Sequence, residues 1–250
     1  MNVINNSGVK PLIFKILVIT PVYHINGIEE LLESIGAVDY LEDPSEEDVL
    51  NVVDDYDAIF TNPNKSKVYI GKNIFDRAKR LKVICTASTG TNHIDKVCAK
   101  ERGIDVISLT NERSVIDQIS STAELAFGLT ICSLRKIHSG YDSVLRGEWD
   151  YTKFIGRQFN ALTVGVIGYG RLGKLYAKYC RAFGAEVIVY DPYVKLEEKI
   201  FTQVNDIDFL LGKSDVISIH VHVSDSTIGM FNSRAFSLLK SDVLIVNTSR

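Results

Sequence analysis

Three glycines with the spacing G-x-G-x-x-G, at Gly168, Gly170 and Gly173, stand between an apolar β-type run and a helical pattern. In this context the motif predicts a dinucleotide site. The first glycine permits a tight turn, the second lets the backbone approach a pyrophosphate, and the third lets helix and strand pack closely. The helix N-terminus adds free N–H donors and a positive dipole. We therefore expect an anion to bind over Arg171 and Leu172.

A carboxylate, Asp191, ends the next β-type run, directly after Tyr190. At this distance past the glycines, a carboxylate accepts hydrogen bonds from the adenosine ribose hydroxyls and repels a 2′-phosphate. Pro192 follows it and no arginine stands beside it, so the sequence favours NAD over NADP. The alternative is a glycine turn in an α/β protein that binds no ligand. Strand, motif, helix and acid nevertheless occur in the order that a dinucleotide site requires.

Two histidines, His220 and His222, lie two residues apart at the end of another β-type run, a spacing that metal ligands sometimes have. No third ligand stands near them in the sequence, so we interpret them as structural and expect no metal. A third histidine, His93, lies close to Asp95 and is a candidate for acid–base chemistry.

The composition is that of an ordinary globular protein of 250 residues, 46% hydrophobic and 24% charged, with a formal net charge of -3. Without a basic field, nucleic acid is not expected as a partner, and a small-molecule ligand fits better. The four cysteines lack disulfide or metal-ligand spacing, which is typical of reduced thiols in a cytoplasmic protein. The least charged stretch, residues 119–134, is too short to cross a bilayer, and the N-terminus lacks a signal-peptide pattern.

Short β-type runs alternate with helical patterns from Lys15 onward, which indicates an α/β protein built on parallel sheets. Between its two halves, residues 120–145 have the length and apolar recurrence of one long helix. We expect two flavodoxin- or Rossmann-like domains, with the boundary near the start of this helix. The expected strands are residues 16–19, 58–60 and 83–86 in the first half and 164–167, 187–190, 216–219 and 243–246 in the second.

Five further phrases occur in order along nearly the whole chain. They are STGTNHID at residues 88–95, STAE at 121–124, GEW at 147–149, SDVISIH at 214–220 and VNTSR at 246–250. These phrases resemble the D-isomer-specific 2-hydroxyacid dehydrogenase family. The glycine motif lies in the second half, after another α/β unit, as it does in that family. Within the family the similarity is closest to phosphoglycerate dehydrogenases.

The resemblance implies a substrate-binding domain at residues 1–118 and a Rossmann NAD-binding domain at residues 119–250, truncated at its C-terminus. It implies an oxidoreductase that transfers a hydride between NAD and a D-2-hydroxy acid or its 2-oxo acid. The first candidate substrate is 3-phosphoglycerate, and glyoxylate and lactate are alternatives. A different class stays open, a non-catalytic NAD-sensing protein like the family's corepressor relatives. The family's habit also predicts a homodimer.

The resemblance assigns roles to individual residues. Arg250 matches the catalytic arginine, whose guanidinium holds the carboxylate of a 2-oxo acid and polarises the carbonyl that accepts hydride. Without the resemblance, Arg250 is interpreted as a surface arginine. Backbone N–H groups of Thr89, Gly90 and Thr91 are expected to bind the substrate carboxylate, with an ordinary βα turn as the alternative. The further residues implied to line the cofactor are Thr89, Val221, Thr248, Ser249 and Arg250.

The sequence departs from the family at two points. His222 stands where the family usually has proline, which predicts a less rigid loop over the adenine. The family's general acid, a histidine paired with a glutamate, follows the arginine and so falls after residue 250. On the resemblance, the 250-residue chain by itself is therefore expected to be inactive, as a fragment or a degenerate remnant.

Overall fold

Two compact α/β units make up the protein. The computed structural model describes residues 13–197 and 199–249, and the chain divides between Ile116 and Asp117. Each unit contains a five-stranded sheet whose neighbouring strands are parallel. The α/β class with two parallel-sheet domains, expected from the sequence, is confirmed.

The sheet of the first unit has the strand order 2-1-3-4-5 of flavodoxin-like folds. Its strands are β1 (Lys15–Val18), β2 (Ala37–Tyr40), β3 (Ala58–Thr61), β4 (Val83–Thr86) and β5 (Asp105–Ser108). Its helices are α1 (Ile28–Glu33), α2 (Glu46–Val52), α3 (Lys72–Arg77), α4 (Lys96–Glu101) and α5 (Arg113–Ile116). Short 3-10 turns occupy Val53–Asp55 and Leu109–Asn111.

The central strands of this sheet are buried on both faces. Leu17 and Ile19 pack into one apolar cluster, whereas Ile16 and Val18 pack into another. Burial on both faces explains why β1, β3 and β4 are continuous apolar runs that the sequence predicts. β2 and β5 form the two edges and are interrupted by charged residues, so their pattern is too weak to predict.

The sheet of the second unit has the order β10-β9-β6-β7-β8. The chain forms β6, β7 and β8 in order toward one edge, and then crosses back to form β9 and β10 on the other side of β6. Doubly wound folds bind ligands at this reversal, beyond the carboxyl ends of the strands. The strands are β6 (Thr163–Ile167), β7 (Glu186–Tyr190), β8 (Thr202–Val204), β9 (Val216–Ile219) and β10 (Leu244–Asn247). The helices are α6 (Ser121–Leu134), α7 (Ile137–Leu145), α8 (Arg171–Ala182), α9 (Ile207–Lys213) and α10 (Ser233–Ser237).

The prediction of one long helix over residues 120–145 is wrong. The segment forms two helices, α6 and α7, because Lys136 adopts a left-handed backbone with φ 51 and breaks the run of helical hydrogen bonds. No glycine or proline marks this break in the sequence, so the helical recurrence of apolar residues continues across it. Among the described residues, no helix combines the length and apolar content that a membrane span requires.

A buried hydroxyl pair fixes α6 against α8. The Thr130 hydroxyl donates to the carbonyl oxygen of Ala126 at 2.8 Å and lies 2.8 Å from the Tyr176 hydroxyl. Tyr176 belongs to the fully buried stripe of α8, with Ala177 and Cys180. The helix that follows the glycine loop is therefore held in place by core packing.

Candidate functional site

The turn after β6 requires glycine at two of its positions. Gly168 has φ 91, and a Cβ there would stand 2.7 Å from the carbonyl oxygen of His220. A Cβ on Gly173 would stand 2.0 Å from the carbonyl oxygen of Gly168. The first glycine thus permits the turn and the third permits the close packing of helix on strand, as the motif predicts.

Gly170 has a different role, because it borders open space at the start of α8. Among the described residues, no side chain caps this helix end, and no heavy atom beyond its chain neighbours lies within 4 Å of a Cβ built on Gly170. The N–H groups of Arg171 and Leu172 lie in the first turn of α8, ahead of the first helical bond, from Lys174 to Gly170. This open, uncapped helix end fits the pyrophosphate of a dinucleotide.

The side chain of Arg171 is engaged elsewhere. Its guanidinium donates to the carbonyl oxygen of Ile119, just before α6. The main chain of Arg171, rather than its charge, is therefore the group that the fold presents to an anion at this position.

Asp191 lies at the carboxyl end of β7 and joins it to the glycine loop. Its Oδ2 accepts a hydrogen bond from the N–H of Tyr169 at 2.7 Å. Its Oδ1 accepts from the N–H groups of Tyr193 at 2.8 Å and Val194 at 3.1 Å. Since a carboxylate has about four acceptor positions, Oδ2 keeps capacity for a further donor, which fits a ribose hydroxyl.

Residues beyond β9 and β10 flank the glycine turn on its other side. The Cγ1 of Val221 would lie 2.9 Å from a Cβ on Gly168. Ser249 donates from its hydroxyl to the carbonyl oxygen of Ile219 at 3.0 Å, which ties the segment of Thr248 and Ser249 to the end of β9. The structure thus places Val221 against the glycine turn, and Thr248 and Ser249 next to the carboxyl end of β9. Arg250, the predicted catalytic arginine, lies outside the described residues.

His220 and His222 have different surroundings. The Nε2 of His220 lies 2.8 Å from the Ser218 hydroxyl, and its ring centroid lies 5.1 Å from that of Tyr176. Burial lowers the pKa of His220 to about 4, so the ring is neutral at physiological pH. His222 is exposed. Within residues 13–197 and 199–249, no group of three potential ligands could hold a metal ion.

The loop at residues 88–91 follows β4 in the first unit, and its carbonyl groups are bonded within the protein. The carbonyl oxygen of Ser88 accepts from the N–H of Leu109 at 3.0 Å, and that of Thr89 accepts from the Thr110 hydroxyl at 2.8 Å. The Ser88 hydroxyl donates to the carbonyl oxygen of Gly90 at 2.7 Å. With these carbonyls held, the N–H groups of Thr89, Gly90 and Thr91 and the two threonine hydroxyls are the polar groups for which the described residues show no partner, which fits a carboxylate.

The sequence did not predict Ser88, Thr110 or Gln203 as parts of these sites. Each side chain donates a hydrogen bond to a main-chain carbonyl oxygen. The acceptor lies two residues along the chain for Ser88, 21 residues away for Thr110 and 9 residues away for the shortest bond of Gln203. Hydroxyl and amide residues are common in loops, so their type alone carries no signal of this role.

Both halves of the chain match models of one protein family. The D-isomer specific 2-hydroxyacid dehydrogenase catalytic domain matches residues 16–147, and the NAD binding domain of the same family matches residues 127–250. These matches cover the described fold and both candidate sites.

Individual relatives agree with this assignment. D-3-phosphoglycerate dehydrogenase of Methanocaldococcus jannaschii is 34% identical over 239 residues, which are 94% of this chain and 44% of that protein. Hydroxypyruvate reductase of Thermotoga maritima is 32% identical over 204 residues, or 82% of this chain and 64% of that protein. The chain therefore spans only part of the length of these curated relatives.

A solved structure shares the fold. D-lactate dehydrogenase from Aquifex aeolicus, complexed with NAD and lactic acid, is 28% identical with a TM-score of 0.79, and the match covers 94% of this chain and 69% of that one. Together with the open glycine loop and Asp191, these matches identify the cofactor of the second unit as NAD. The chain belongs to the D-isomer-specific 2-hydroxyacid dehydrogenase family.

Proposed function

We propose that the protein interconverts a D-2-hydroxy acid and the corresponding 2-oxo acid as an NAD-dependent dehydrogenase. The observation that carries this proposal is the uncapped start of α8 at Gly170, with the Asp191 carboxylate bonded to Tyr169 beside it. A helix end of this kind binds a pyrophosphate, and the carboxylate accepts bonds from the adenosine ribose. When bound, NAD would accept the hydride that leaves C2 of the hydroxy acid, and the hydroxyl proton would pass to the histidine that the family resemblance places after residue 250.

The substrate is assigned to the loop at residues 88–91. In this proposal the N–H groups of Thr89, Gly90 and Thr91 hold the substrate carboxylate, because the loop carbonyls are already bonded within the protein. Arg250 supplies the permanent positive charge that orients the acid and polarises its reacting oxygen. Arg250→Lys is expected to lower kcat strongly, because an ammonium lacks the two-pronged geometry of the guanidinium.

The first candidate substrate is 3-phosphoglycerate, supported by the similarity to the phosphoglycerate dehydrogenase of M. jannaschii. Hydroxypyruvate, glyoxylate and lactate are the alternatives. Lys65, close to the end of β3, is one cation that could meet a phosphate. It forms an ion pair with Asp43, with Nζ 3.6 Å from Oδ2, so its charge is partly compensated.

A panel of 2-oxo acids tests the proposal. A chain that extends past residue 250 and contains the glutamate and histidine expected there is incubated with NADH and phosphorylated, hydroxylated and unsubstituted 2-oxo acids, and oxidation of NADH is followed by absorbance. We expect turnover with at least one acid. Binding of NADH without turnover of any acid would instead favour the alternative of an NAD-sensing binding protein.

The role of Asp191 is tested by its replacement. In Asp191→Arg, the repulsion of a 2′-phosphate is replaced by attraction, so the preference for NADH over NADPH should fall at least about tenfold, which corresponds to about 1.4 kcal/mol. The ratio of the two dissociation constants is the measurement. An unchanged ratio contradicts the assignment of the ribose site.

The assembly and location are inferred from the surface and the thiols. Several large apolar side chains on α7 and in the segment that follows it, up to the start of a 3-10 turn at Tyr151–Phe154, are exposed, and we infer that they form the contact of a homodimer. The cysteines of the described chain are free thiols, which supports a cytoplasmic location. The apolar surface in question is formed by Tyr141, Val144, Leu145, Trp149 and Tyr151.

A further inference from the structure

Gln203 lies on β8, the edge strand beside β7, and its side chain reaches across the loop that follows β7. Its Nε2 donates to the carbonyl oxygens of Val194 at 2.7 Å and of Asp191 at 3.4 Å. Its Oε1 accepts from the N–H of Leu196 at 3.0 Å. One half-buried carboxamide thus uses both its donor and its acceptor groups on residues 191–196.

The same loop carries the carboxylate assigned to the ribose. Within the loop, the Asp191 carboxylate accepts from the N–H groups of Tyr193 and Val194. From β8, Gln203 donates to the carbonyl oxygen of Val194. The loop has no regular secondary structure, so these side-chain bonds, rather than a ladder of backbone bonds, determine its shape. Gln203 therefore fixes the main chain that carries two of the three N–H donors of the Asp191 carboxylate, those of Tyr193 and Val194, while the third donor, Tyr169, lies in the glycine loop.

We propose that Gln203 is a positioning residue that sets the preference for NAD over NADP by holding Asp191 toward the adenosine ribose. The inference rests on the proposed role of Asp191. Gln203 itself touches main-chain atoms and Asp191 touches the ribose, so Gln203 acts only through Asp191. When the loop is released, the carboxylate loses its bonds to Tyr193 and Val194, and the remaining bond from Tyr169 leaves it free to turn. This weakens its bonds to the ribose hydroxyls and its repulsion of a 2′-phosphate together.

This mechanism predicts an asymmetric effect on the two nucleotides. In Gln203→Ala, the dissociation constant of NADH should rise about tenfold, the order expected when hydrogen bonds to a charged acceptor are lost. The dissociation constant of NADPH should rise less or fall, because the repulsion is relieved. The preference for NADH therefore shrinks. A merely structural defect of the unit would weaken both nucleotides by the same factor.

The experiment is a fluorescence titration of the 250-residue chain with NADH and with NADPH. Gln203→Met keeps the length of the side chain without its hydrogen bonds, and it serves as the second variant if Gln203→Ala folds poorly by circular dichroism. Asn232→Ala is the matched control. It also removes an amide, one whose Oδ1 accepts from the N–H of Ala235 at 3.1 Å at the start of α10, far along the chain from the loop. The control should leave the NADH to NADPH ratio unchanged.

A double-mutant cycle with Asp191→Ala separates positioning from general destabilisation. If Gln203 acts through Asp191, then Gln203→Met has no further effect on the nucleotide ratio once Asp191 is replaced. The inference is overturned if Gln203→Met changes both dissociation constants in proportion, or if its effect on the ratio persists in the Asp191→Ala background. A wild-type chain that binds neither nucleotide contradicts the cofactor site itself. That result differs from one in which both nucleotides bind and only the effect of Gln203 on the ratio of their dissociation constants is absent.

Discussion

At the scale of single residues, Gly170 and Gly173 belong to one motif but border different surroundings. A Cβ on Gly170 meets open space, whereas a Cβ on Gly173 would overlap the carbonyl oxygen of Gly168. The same substitution at the two positions should therefore separate cofactor binding from folding.

We expect Gly170→Ala to keep its fold, with a loss of less than about 1 kcal/mol in unfolding free energy, because glycine is only modestly better than alanine at a helix start of this kind. Its affinity for NADH should fall at least about tenfold, since the methyl group occupies the approach of the pyrophosphate. Gly173→Ala should lose about 1–3 kcal/mol of stability by overpacking. Denaturant unfolding and NADH titration distinguish the two, and equal stability losses would contradict the prediction.

His220 predicts a pH dependence of stability. Its pKa in the folded chain is lowered by burial to about 4, below the ordinary value of 6.5, so the unfolded chain binds a proton that the folded chain does not. The stabilisation is complete above pH 6.5 and is lost as the pH falls toward 4. Between neutral pH and pH 5, this single group should remove about 2 kcal/mol.

The check is denaturant unfolding of wild type and His220→Asn at several pH values. The variant lacks the buried imidazole of His220, so its unfolding free energy should fall less steeply with acidification. Parallel pH profiles would show that other groups dominate and would refute the assignment to His220.

At the scale of elements, the loop at residues 88–91 depends on hydroxyl groups from other segments. Thr110 holds the carbonyl oxygen of Thr89 from the 3-10 turn after β5. Thr110→Val keeps the shape of the side chain but loses this bond, so the carbonyl is free to turn and the N–H groups lose their common direction.

We expect Thr110→Val to raise the KM of the 2-oxo acid several-fold, with little change in the dissociation constant of NADH. Thr110→Ser keeps the hydroxyl and should restore the KM. Steady-state kinetics on the acid that the panel identifies supply the measurement. If NADH binding weakens as much as the KM rises, the loop is not a dedicated substrate site.

At the scale of the whole molecule, the exposed apolar side chains on α7 and in the segment that follows it predict self-association. Trp149 is 95% exposed and Leu145 is 68% exposed in the single chain, which costs free energy in water unless a partner covers them. We expect a dimer at micromolar concentration, detected by sedimentation velocity.

Leu145→Asp should shift this equilibrium to monomer, because a charge at an apolar contact is strongly unfavourable. Phe236→Ser, which removes another exposed apolar side chain on α10, should leave the dimer intact. A monomeric wild type, or equal effects of the two variants, would contradict the homodimer.

The sequence by itself determined the class of the fold and the outline of the cofactor site. The central strands are buried on both faces, so their apolar runs are continuous and easily recognised. Gly168, Gly170 and Gly173 act through their lack of a side chain, and Asp191 acts through its charge, which are properties of residue type. Such features depend on local order along the chain, and sequence patterns record local order.

Only the tertiary structure decided how the loops are held. Three hydrogen bonds each join segments that the sequence separates. They connect Gln203 with Val194, Thr110 with Thr89 and Tyr169 with Asp191. The break at Lys136 likewise occurs without a glycine or proline, at a residue whose left-handed backbone the sequence does not indicate. Polar side chains have many possible main-chain partners in an extended chain, and the fold selects a few of them, which is why spacing alone could not name these contacts.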